Sequence, residues 1–386
     1  MKFKRILALV FCVVAFSAML VGCEEDVTQK WLDYYKENDI GQPKEIEDVV
    51  VDLYIIKGED MSADANITKT VQDKMNQYFY LTYHTNVKIH YISASDYAAE
   101  IDKLTAESKG IVLIDSEETM EKLSGKLIDI NPYLVSDDFK GRGYGKLNKQ
   151  ITTALLDAAR VVENGVEKLY CIPNNHVIGS YEYIVINKAA ASSLLYANST
   201  LAEMTSWELT ESLRNDAALN LDSPIFIEEV DYKDYDPASG AVVTRVVNAP
   251  YEAKATIEAG NMIVNIAKYP VADKAEAYSS AFGILKGTAK GAKDNAETTE
   301  LTVYTERAMQ IIYEINSNKN IRNLLQYGVE NVNYSLDKNG VVVPIEDKRY
   351  DMNILHTGDV FVAHYSEYWT ALDAENGLKQ NKDTDK

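Results

Sequence analysis

Between residues 49 and 123 the spacing of apolar side chains alternates between a strand pattern and a helix pattern. Residues 49–56 are a run rich in β-branched side chains, typical of a strand buried on both faces of a sheet, and residues 87–92 and 111–114 are predicted as a second and a third strand. The segments between them, 67–79 and 97–104, carry apolar residues at helical spacing. A β-α-β-α-β order with short connections predicts a parallel sheet with helices on its faces.

Strand and helix patterns continue to about residue 345, and no internal repeat is visible. Because no flexible linker separates the early from the late α/β region, we expect two lobes joined by strands. The expected boundaries are residues 48–173 plus 268–328 for the first lobe, 174–267 plus 329–378 for the second lobe, and 379–386 for a polar tail.

The N-terminus resembles the export signal of a bacterial lipoprotein. Positive charges precede an almost unbroken apolar run over residues 6–21, which has secretory length and is short for a membrane span. The run ends in the letters LVGC, of which the last is Cys23. We expect a signal peptide over 1–22, lipid attachment at Cys23 and a polar tether over 23–47, which places the protein on the extracytoplasmic face of the cell membrane. The alternative is an ordinary signal peptide in which Cys23 has no role.

Acidic residues outnumber basic residues by 59 to 39, for a formal net charge of −20. A surface of this sign repels phosphate backbones, which excludes nucleic acid as a partner. The five His and three Cys are scattered along the chain and do not fit a zinc scaffold or a disulfide framework. The sequence therefore predicts no metal and no cofactor.

No catalytic constellation is visible, and we predict that the chain is not an enzyme. The glycine-rich run 141–145 lacks the spacing of a dinucleotide-binding loop, and Ser335 with Lys338 precedes a turn instead of starting a helix. What remains is a stock of 26 Tyr beside 8 Phe and 3 Trp. Tyrosine suits pockets that stack on sugar rings, and it suits strands and surfaces equally well.

Four segments together resemble the extracellular solute-binding proteins of family 1, which serve sugar ABC importers. Residues 126–134 read KLIDINPYL, and residues 169–188 contain LYCIP followed by YIVINK. Residues 255–262 read ATIEAGNM, and residues 306–328 begin with ERAM and end with NLLQYG. Each motif is weak alone, but their order and spacing cover most of the chain from about residue 49 to residue 369.

The resemblance implies a two-lobed periplasmic-binding-protein-like fold of type II, with a central ligand cleft. It implies a lipid-anchored monomer that captures a carbohydrate, an oligosaccharide in particular, between two closing lobes. The loaded form would deliver this ligand to the transmembrane subunits of an ABC permease. Contact with the membrane itself would be through the lipid anchor only.

Candidate site residues follow from the expected topology, because open parallel sheets bind ligands beyond the carboxyl ends of their strands. Asp60 and Asp115 follow two such ends and are expected to accept hydrogen bonds from ligand hydroxyls, with helix N-capping as the alternative. Other candidates lie at the crossover between lobes or after later strands. They are Asn174, Asn175, His176 and Tyr181 at the crossover, and Tyr269, Tyr365 and Trp369 as stacking platforms or, alternatively, core residues.

Three other functions stay open from the sequence alone. The acidic charge would favour a cationic solute such as a polyamine. A surface enzyme acting on glycans would need a carboxylate pair across a cleft, which a sequence does not display. An adhesive lipoprotein would keep the fold without a permease.

Overall fold

The computed structural model describes residues 49–59, 61–62, 64–135, 143–187, 227–238, 243–260, 262–289 and 303–386. The predicted signal peptide and tether, together with Cys23 and Asp60, lie outside these described residues.

Strands are numbered in chain order. They are β1 (Val49–Ile56), β2 (Thr85–Ile92), β3 (Ile111–Ile114), β4 (Arg160–Glu163), β5 (Val166–Leu169), β6 (Cys171–Pro173), β7 (Tyr181–Asn187), β8 (Ile227–Asp231), β9 (Val243–Ala249), β10 (Met262–Lys268), β11 (Ala281–Ile284), β12 (Tyr334–Leu336) and β13 (Val342–Pro344).

The α-helices are numbered in the same way. They are α1 (Ala65–Tyr83), α2 (Ala94–Lys103), α3 (Glu117–Lys122), α4 (Asn131–Val135), α5 (Leu147–Gln150), α6 (Thr153–Ala159), α7 (Ala253–Ala259), α8 (Lys274–Tyr278), α9 (Val303–Ser317), α10 (Lys319–Tyr327) and α11 (Ala371–Asp383). Among the described residues, none of the helices combines the length and the apolar character that crossing a membrane requires.

The large lobe is built on a five-stranded sheet in the order β2-β1-β3-β11-β6. β1 runs parallel to β2 and β3, whereas β11 is antiparallel to β3 and β6. All four residues of β3 are buried, so both faces of the sheet are covered. The predicted α/β fold class is confirmed, with one antiparallel strand, β11, that the sequence pattern did not predict.

Helices complete the core of the large lobe. The apolar stripe of α1 is buried from Ile67 to Phe79, as its spacing predicts. Ile312 of α9 and Leu325 of α10 are buried in the same cluster. The pattern that suggested these helices therefore marks the face that each one packs on the sheet.

The small lobe is built on a four-stranded sheet in the order β10-β7-β9-β8. β7 is antiparallel to both of its neighbours. A separate apolar cluster packs on this sheet and includes Tyr181, Val246, Ile257 and Val264. The chain passes between the two sheets through residues 174–180 and 269–280, which we call the first and second crossover segments.

Residues 329–378, expected to belong wholly to the second lobe, make contacts on both sides. Tyr350 and Met352 are buried in the core of the large lobe, whereas Asn376 of α11 donates to Glu252, the N-cap of α7, at 3.3 Å. The reason is that the chain returns past the end of β1, where it approaches Gly58 closely. We therefore propose that the lobe boundary lies within this segment.

The C-terminus is a helix where a polar tail over 379–386 was expected. α11 begins at a capping box between Thr370 and Asp373 and continues to Asp383. Gln380 and Asn381, within the expected tail, are 2% and 5% exposed. Apolar periodicity could not reveal this helix, because its buried face carries the polar amides of Asn376, Gln380 and Asn381. Gln380 and Asn381 bond to the backbone of the first crossover segment.

Replacing Asn381 with alanine tests this docking. Its amide nitrogen donates to the carbonyl of His176 at 2.7 Å, and its Oδ1 accepts from the Ile178 N–H at 2.9 Å. The substitution leaves both buried backbone groups without a partner, so we expect a loss of about 2 kcal/mol in the free energy of unfolding. Denaturant titration measures it, and exposed Lys382→Ala is the matched control, expected to change stability by less than about 0.5 kcal/mol. Equal losses in the two variants would contradict a docked C-terminus.

Candidate functional site

A cleft of about 730 Å³ lies beyond the carboxyl ends of β1 and β3. Its first wall belongs to the large lobe and includes residues 56–59, which complete and follow β1, and Asp115, which follows β3. Its second wall is formed by residues 341–344, the segment 349–356 and the turn 366–369. Within the described residues, the four-stranded sheet contributes nothing to this lining. The cleft is therefore framed by the large lobe and the chain that returns past it.

Asp115 is a sequence-predicted residue that the structure places in the first wall. Its Oδ1 accepts hydrogen bonds from the hydroxyls of Thr119 at 2.5 Å and Ser116 at 3.4 Å. The N-cap of α3 is Ser116, whose Oγ accepts the Thr119 N–H at 3.2 Å. The carboxylate of Asp115 is thus oriented by two hydroxyls, is half-buried, and keeps acceptor capacity for a ligand.

Charged side chains of both signs surround the cleft. Arg349 Nη2 pairs with Asp351 Oδ2 at 3.1 Å in the second wall. The cations in the lining are Lys57 and Arg349, and the carboxylates are Glu59, Asp115, Asp351 and Glu367. Carboxylates therefore outnumber cations by four to two, which favours ligands that donate hydrogen bonds.

In the described part of the chain, the buried nitrogen atoms of cleft-lining side chains that have no hydrogen-bond partner include His356 Nδ1 and Trp369 Nε1. Burial lowers the pKa of His356, against the opposing effect of the nearby Asp115 carboxylate, so the imidazole is neutral at pH 7. The indole of Trp369 packs edge-on against Phe361, with ring centroids 5.7 Å apart. An unpaired buried polar group costs about 1–3 kcal/mol, so both nitrogens are suited to a partner that a ligand supplies.

Tyr365, predicted as a stacking platform, lies beside the cleft and not in its lining. Its carbonyl accepts the N–H of Val342 at 2.8 Å, which attaches this part of the chain to β13, and its side chain is 39% exposed. Tyr368, which the sequence analysis did not single out, lines the cleft and is 80% exposed. The aromatic side chains that face the cleft from this turn are therefore Tyr368 and Trp369.

Asn174, Asn175 and His176 lie at the first crossover, where they are buried and do not line this cleft. Asn174 Nδ2 donates to Ser280 Oγ at 2.9 Å, and His176 makes contacts through both ring nitrogens. Asn175 donates to Gln150 O and Asp359 Oδ2 and accepts from Thr152 N, each at 2.8 Å. The side-chain amides of Asn174 and Asn175 therefore bond to other parts of the chain, as buried polar groups do.

Tyr181 and Tyr269 also lie outside this lining, packed in the small lobe. Tyr181 is 1% exposed, and its hydroxyl donates to Asp383 Oδ2 at 2.7 Å. The ring of Tyr269 meets Tyr181 edge-on at 6.3 Å, and the ammonium of Lys386 lies 5.6 Å from its centroid. Tyr181 is thus held by α11, a helix that the sequence did not predict, whereas Tyr269 contacts Tyr181 and Lys386, which follows α11.

Other lining residues were not found from the sequence. Residues 57 and 59 directly follow β1, and ligands bind beyond the carboxyl ends of parallel strands. The sequence could therefore have indicated these two residues. His356, Arg349 and Asp351 lie in an irregular segment that carries no periodic pattern. Among the described residues, no group of three or more His, Cys, Asp or Glu side chains could hold a metal ion.

No family model matches the chain, and no curated protein matches it. Solved structures similar to it include the N-glycan transport solute-binding protein NgtS from Streptococcus pneumoniae, at 14% identity over 86% of this chain and 82% of that chain, with a TM-score of 0.49. The same protein in complex with Man5GlcNAc gives 14% identity, the same coverage and a TM-score of 0.48. The maltose/maltodextrin-binding domain MalE from Bdellovibrio bacteriovorus, bound to maltotriose, gives 12% identity over 87% of each chain and a TM-score of 0.28. Similarity at these identities assigns no ligand to the present chain.

Proposed function

We propose that the protein is a lipid-anchored solute-binding protein of an ABC importer, which binds a carbohydrate in the cleft between the end of β1 and the turn 366–369. The observation that carries this proposal is the set of groups lining the cleft, in which Asp115 and Trp369 lie together with His356. A cleft of about 730 Å³ is within the usual range for small-molecule sites, roughly 300–1,000 Å³.

The chemistry of the lining fits a polyhydroxylated ligand. A sugar hydroxyl donates to the Asp115 carboxylate, and another accepts from the indole N–H of Trp369. A third bonds to the neutral His356 Nδ1, which can accept or donate according to its tautomer. The rings of Tyr368 and Trp369 offer faces or edges for the apolar side of a pyranose.

The location and mechanism belong to the same proposal. Lipid attachment at Cys23 would hold the exported chain at the outer face of the membrane, within reach of a permease. Two lobes joined by two crossover segments can open and close, and movement of the small lobe onto a ligand in the cleft would stabilise the closed arrangement. This role breaks no covalent bond in the ligand, so it requires no catalytic residue.

Ligand binding can be measured by thermal shift and calorimetry on the chain from residue 24 onward, against mono- and oligosaccharides with polyamines and amino acids as controls. At a hundredfold excess over its Kd, a ligand adds about 2.7 kcal/mol to stability, which is readily detected. We expect Trp369→Ala to weaken sugar binding by about tenfold or more, because it removes both an N–H donor and a ring. Tyr365→Ala, outside the lining, is the matched control and should change affinity by less than about threefold.

The charges in the cleft lining favour a second candidate ligand, a cationic solute. The lining contains four carboxylates and two cations. Shifts produced by polyamines alone, and abolished by Asp115→Asn, would replace the carbohydrate with that ligand. Release of sugar fragments from a bound oligosaccharide would instead replace the binding role with an enzymatic one. A response to no ligand of the panel would contradict the carbohydrate proposal.

A further inference from the structure

Two glutamines of this protein are buried to nearly the same extent but differ in their hydrogen bonds. Gln380 of α11 is 2% exposed, its Oε1 accepts the N–H of Tyr251 at 3.0 Å, and its Nε2 donates to the carbonyls of Ile178 and Gly179 at 3.0 and 2.7 Å. Gln326 of α10 is 3% exposed and lines the cleft, and its Oε1 has no partner among the residues that the structure describes. Buried side-chain polar atoms nearly always have a partner, so the carbonyl oxygen of Gln326 calls for one from another source.

The orientation of the Gln326 amide follows from the hydroxyl of its neighbour Tyr327. This hydroxyl donates to the carbonyl of His364 at 3.4 Å, and it forms a second hydrogen bond with the side chain of Gln326. A hydroxyl has one proton, so in the second bond its oxygen accepts and the amide NH₂ group of Gln326 donates. The carbonyl oxygen is therefore the end of the amide that is left over, and it can only accept.

The position of Gln326 in the fold holds this amide in place without a ligand. Its backbone carbonyl accepts the N–H of Met352 at 2.9 Å, in the segment 349–356 of the second wall. Ile321 and Leu325 of the same helix are buried in the core of the large lobe. A ligand that binds here therefore meets a side chain that is already ordered, which lowers the entropic cost of the contact.

The unpaired atoms of the cleft lining differ in what they require from a ligand. Oε1 of Gln326 only accepts, whereas Nε1 of Trp369 only donates. Nδ1 of His356 does either, according to its tautomer. A ligand that satisfies Gln326 and Trp369 must offer both a donor and an acceptor. Hydroxyl groups offer both, whereas ammonium groups offer donors alone.

We propose that Gln326 is a specificity-determining residue, which selects a neutral polyhydroxylated ligand by accepting a hydrogen bond from one of its hydroxyls at Oε1. The inference rests on the proposed function, because it concerns the same cleft, and within it favours a sugar over a polyamine. A site built to hydrogen-bond a ligand hydroxyl discriminates strongly against an analogue that lacks it. In the free protein the unpaired oxygen destabilises the fold, and the ligand hydroxyl removes this penalty.

The stability of the ligand-free full chain tests whether this oxygen is unpaired. Methionine has nearly the length and shape of glutamine but lacks its amide. We expect Gln326→Met to leave the urea midpoint of unfolding unchanged or to raise it, because the variant no longer buries an unpaired acceptor. Gln380→Met is the matched control, and it should lower the folding equilibrium constant by about tenfold or more, because it leaves three backbone groups without their partners. Equal losses in the two variants would overturn the proposal, since Oε1 of Gln326 would then have a partner in the free protein, a bound water included.

Affinity for the panel of mono- and oligosaccharides tests the contact with the ligand. For a sugar that stabilises the wild-type protein, we expect Gln326→Met to raise the Kd by about tenfold or more. Analogues of that sugar that each lack one hydroxyl then identify the donor. One of them should lose about tenfold in affinity for the wild-type protein and little in affinity for Gln326→Met, whereas the other analogues should lose equally with both proteins.

The outcomes separate this inference from the proposed function. A sugar that binds equally well to the wild-type protein and to Gln326→Met would overturn the inference and leave the proposed function standing. A response to polyamines alone would overturn both, because an ammonium group supplies no acceptor for the indole of Trp369. A response to no member of the panel would overturn both as well.

Discussion

Arg322→Met is expected to lower the free energy of unfolding by about 3–5 kcal/mol. This is the range expected when one partner of a buried pair of opposite charges is removed. Arg322 is 0% exposed, and its Nε and Nη2 donate to the carbonyls of Asp359 and Ile354 at 3.1 and 2.8 Å. Burial lowers the pKa of its guanidinium to about 10, so the group is charged at neutral pH. Methionine fills much of the same volume, and the loss therefore reports the missing charge and hydrogen bonds.

The pH dependence of this variant identifies the group that is left behind. Burial raises the pKa of Asp359, while Arg322 acts in the opposite direction. An acid whose pKa is raised by folding binds protons more readily in the folded state, so stability falls as pH rises through that range. Without Arg322 the pKa of Asp359 rises further, and acidification from pH 7 to pH 5 should recover part of the lost stability.

Denaturant titrations at both pH values measure these effects. Arg245→Ala is the matched control, because Arg245 is 40% exposed and pairs with Glu182 and Glu229 at the surface. We expect it to cost less than about 1 kcal/mol. If Arg322→Met also loses less than about 1 kcal/mol in the free energy of unfolding, the buried guanidinium does not stabilise the segment that contains Asp359 and Ile354.

β1 and β3 of the large sheet were predictable because they are short segments rich in β-branched residues. β1 and β3 begin and end at the residues that the sequence predicts, since each run is bounded by polar or glycine residues. β11 (Ala281–Ile284) was missed because it contains no Val and a glycine interrupts its apolar residues, whereas the equally short β3 is uninterrupted. It was also the antiparallel strand of the sheet, which a βαβ pattern does not anticipate.

The candidate site was less predictable than the fold. Asp115 could be placed because the end of a parallel strand fixes where its next residue lies. Asn174 and His176 follow a strand in the same way, but their side chains do not face the cleft. The Asn174 amide bonds to Ser280, and the His176 ring bonds to the backbone carbonyl of Asn174 and to Glu276. A sequence shows which side chains are polar, and it does not show whether their partners will be the chain or a ligand.

Gly58→Ala is expected to cost about 3 kcal/mol or more in stability, because a side chain at this position collides with backbone. The Cβ would lie 1.8 Å from the carbonyl oxygen of Asp351 and 3.2 Å from the Cα of Met352. Backbone atoms cannot rotate away as a flexible side chain can, so the chain at 351–352 must move outward. Gly58, Asp351 and Met352 all line the cleft, so the same movement should change the shape of the proposed site.

Measuring both stability and ligand affinity distinguishes the steric collision in Gly58→Ala from the general effect of replacing a glycine. Gly125 has a φ of +72° and open space around its Cβ position, so Gly125→Ala should cost about 1–2 kcal/mol through backbone strain alone. It lies outside the cleft lining and should leave affinity for any cleft ligand unchanged. Gly58→Ala, without a positive φ, should lose more stability than this control and should also lose affinity. A smaller loss than in Gly125→Ala would mean that the end of β1 and the returning chain do not meet at Gly58, and the cleft would then need a different second wall.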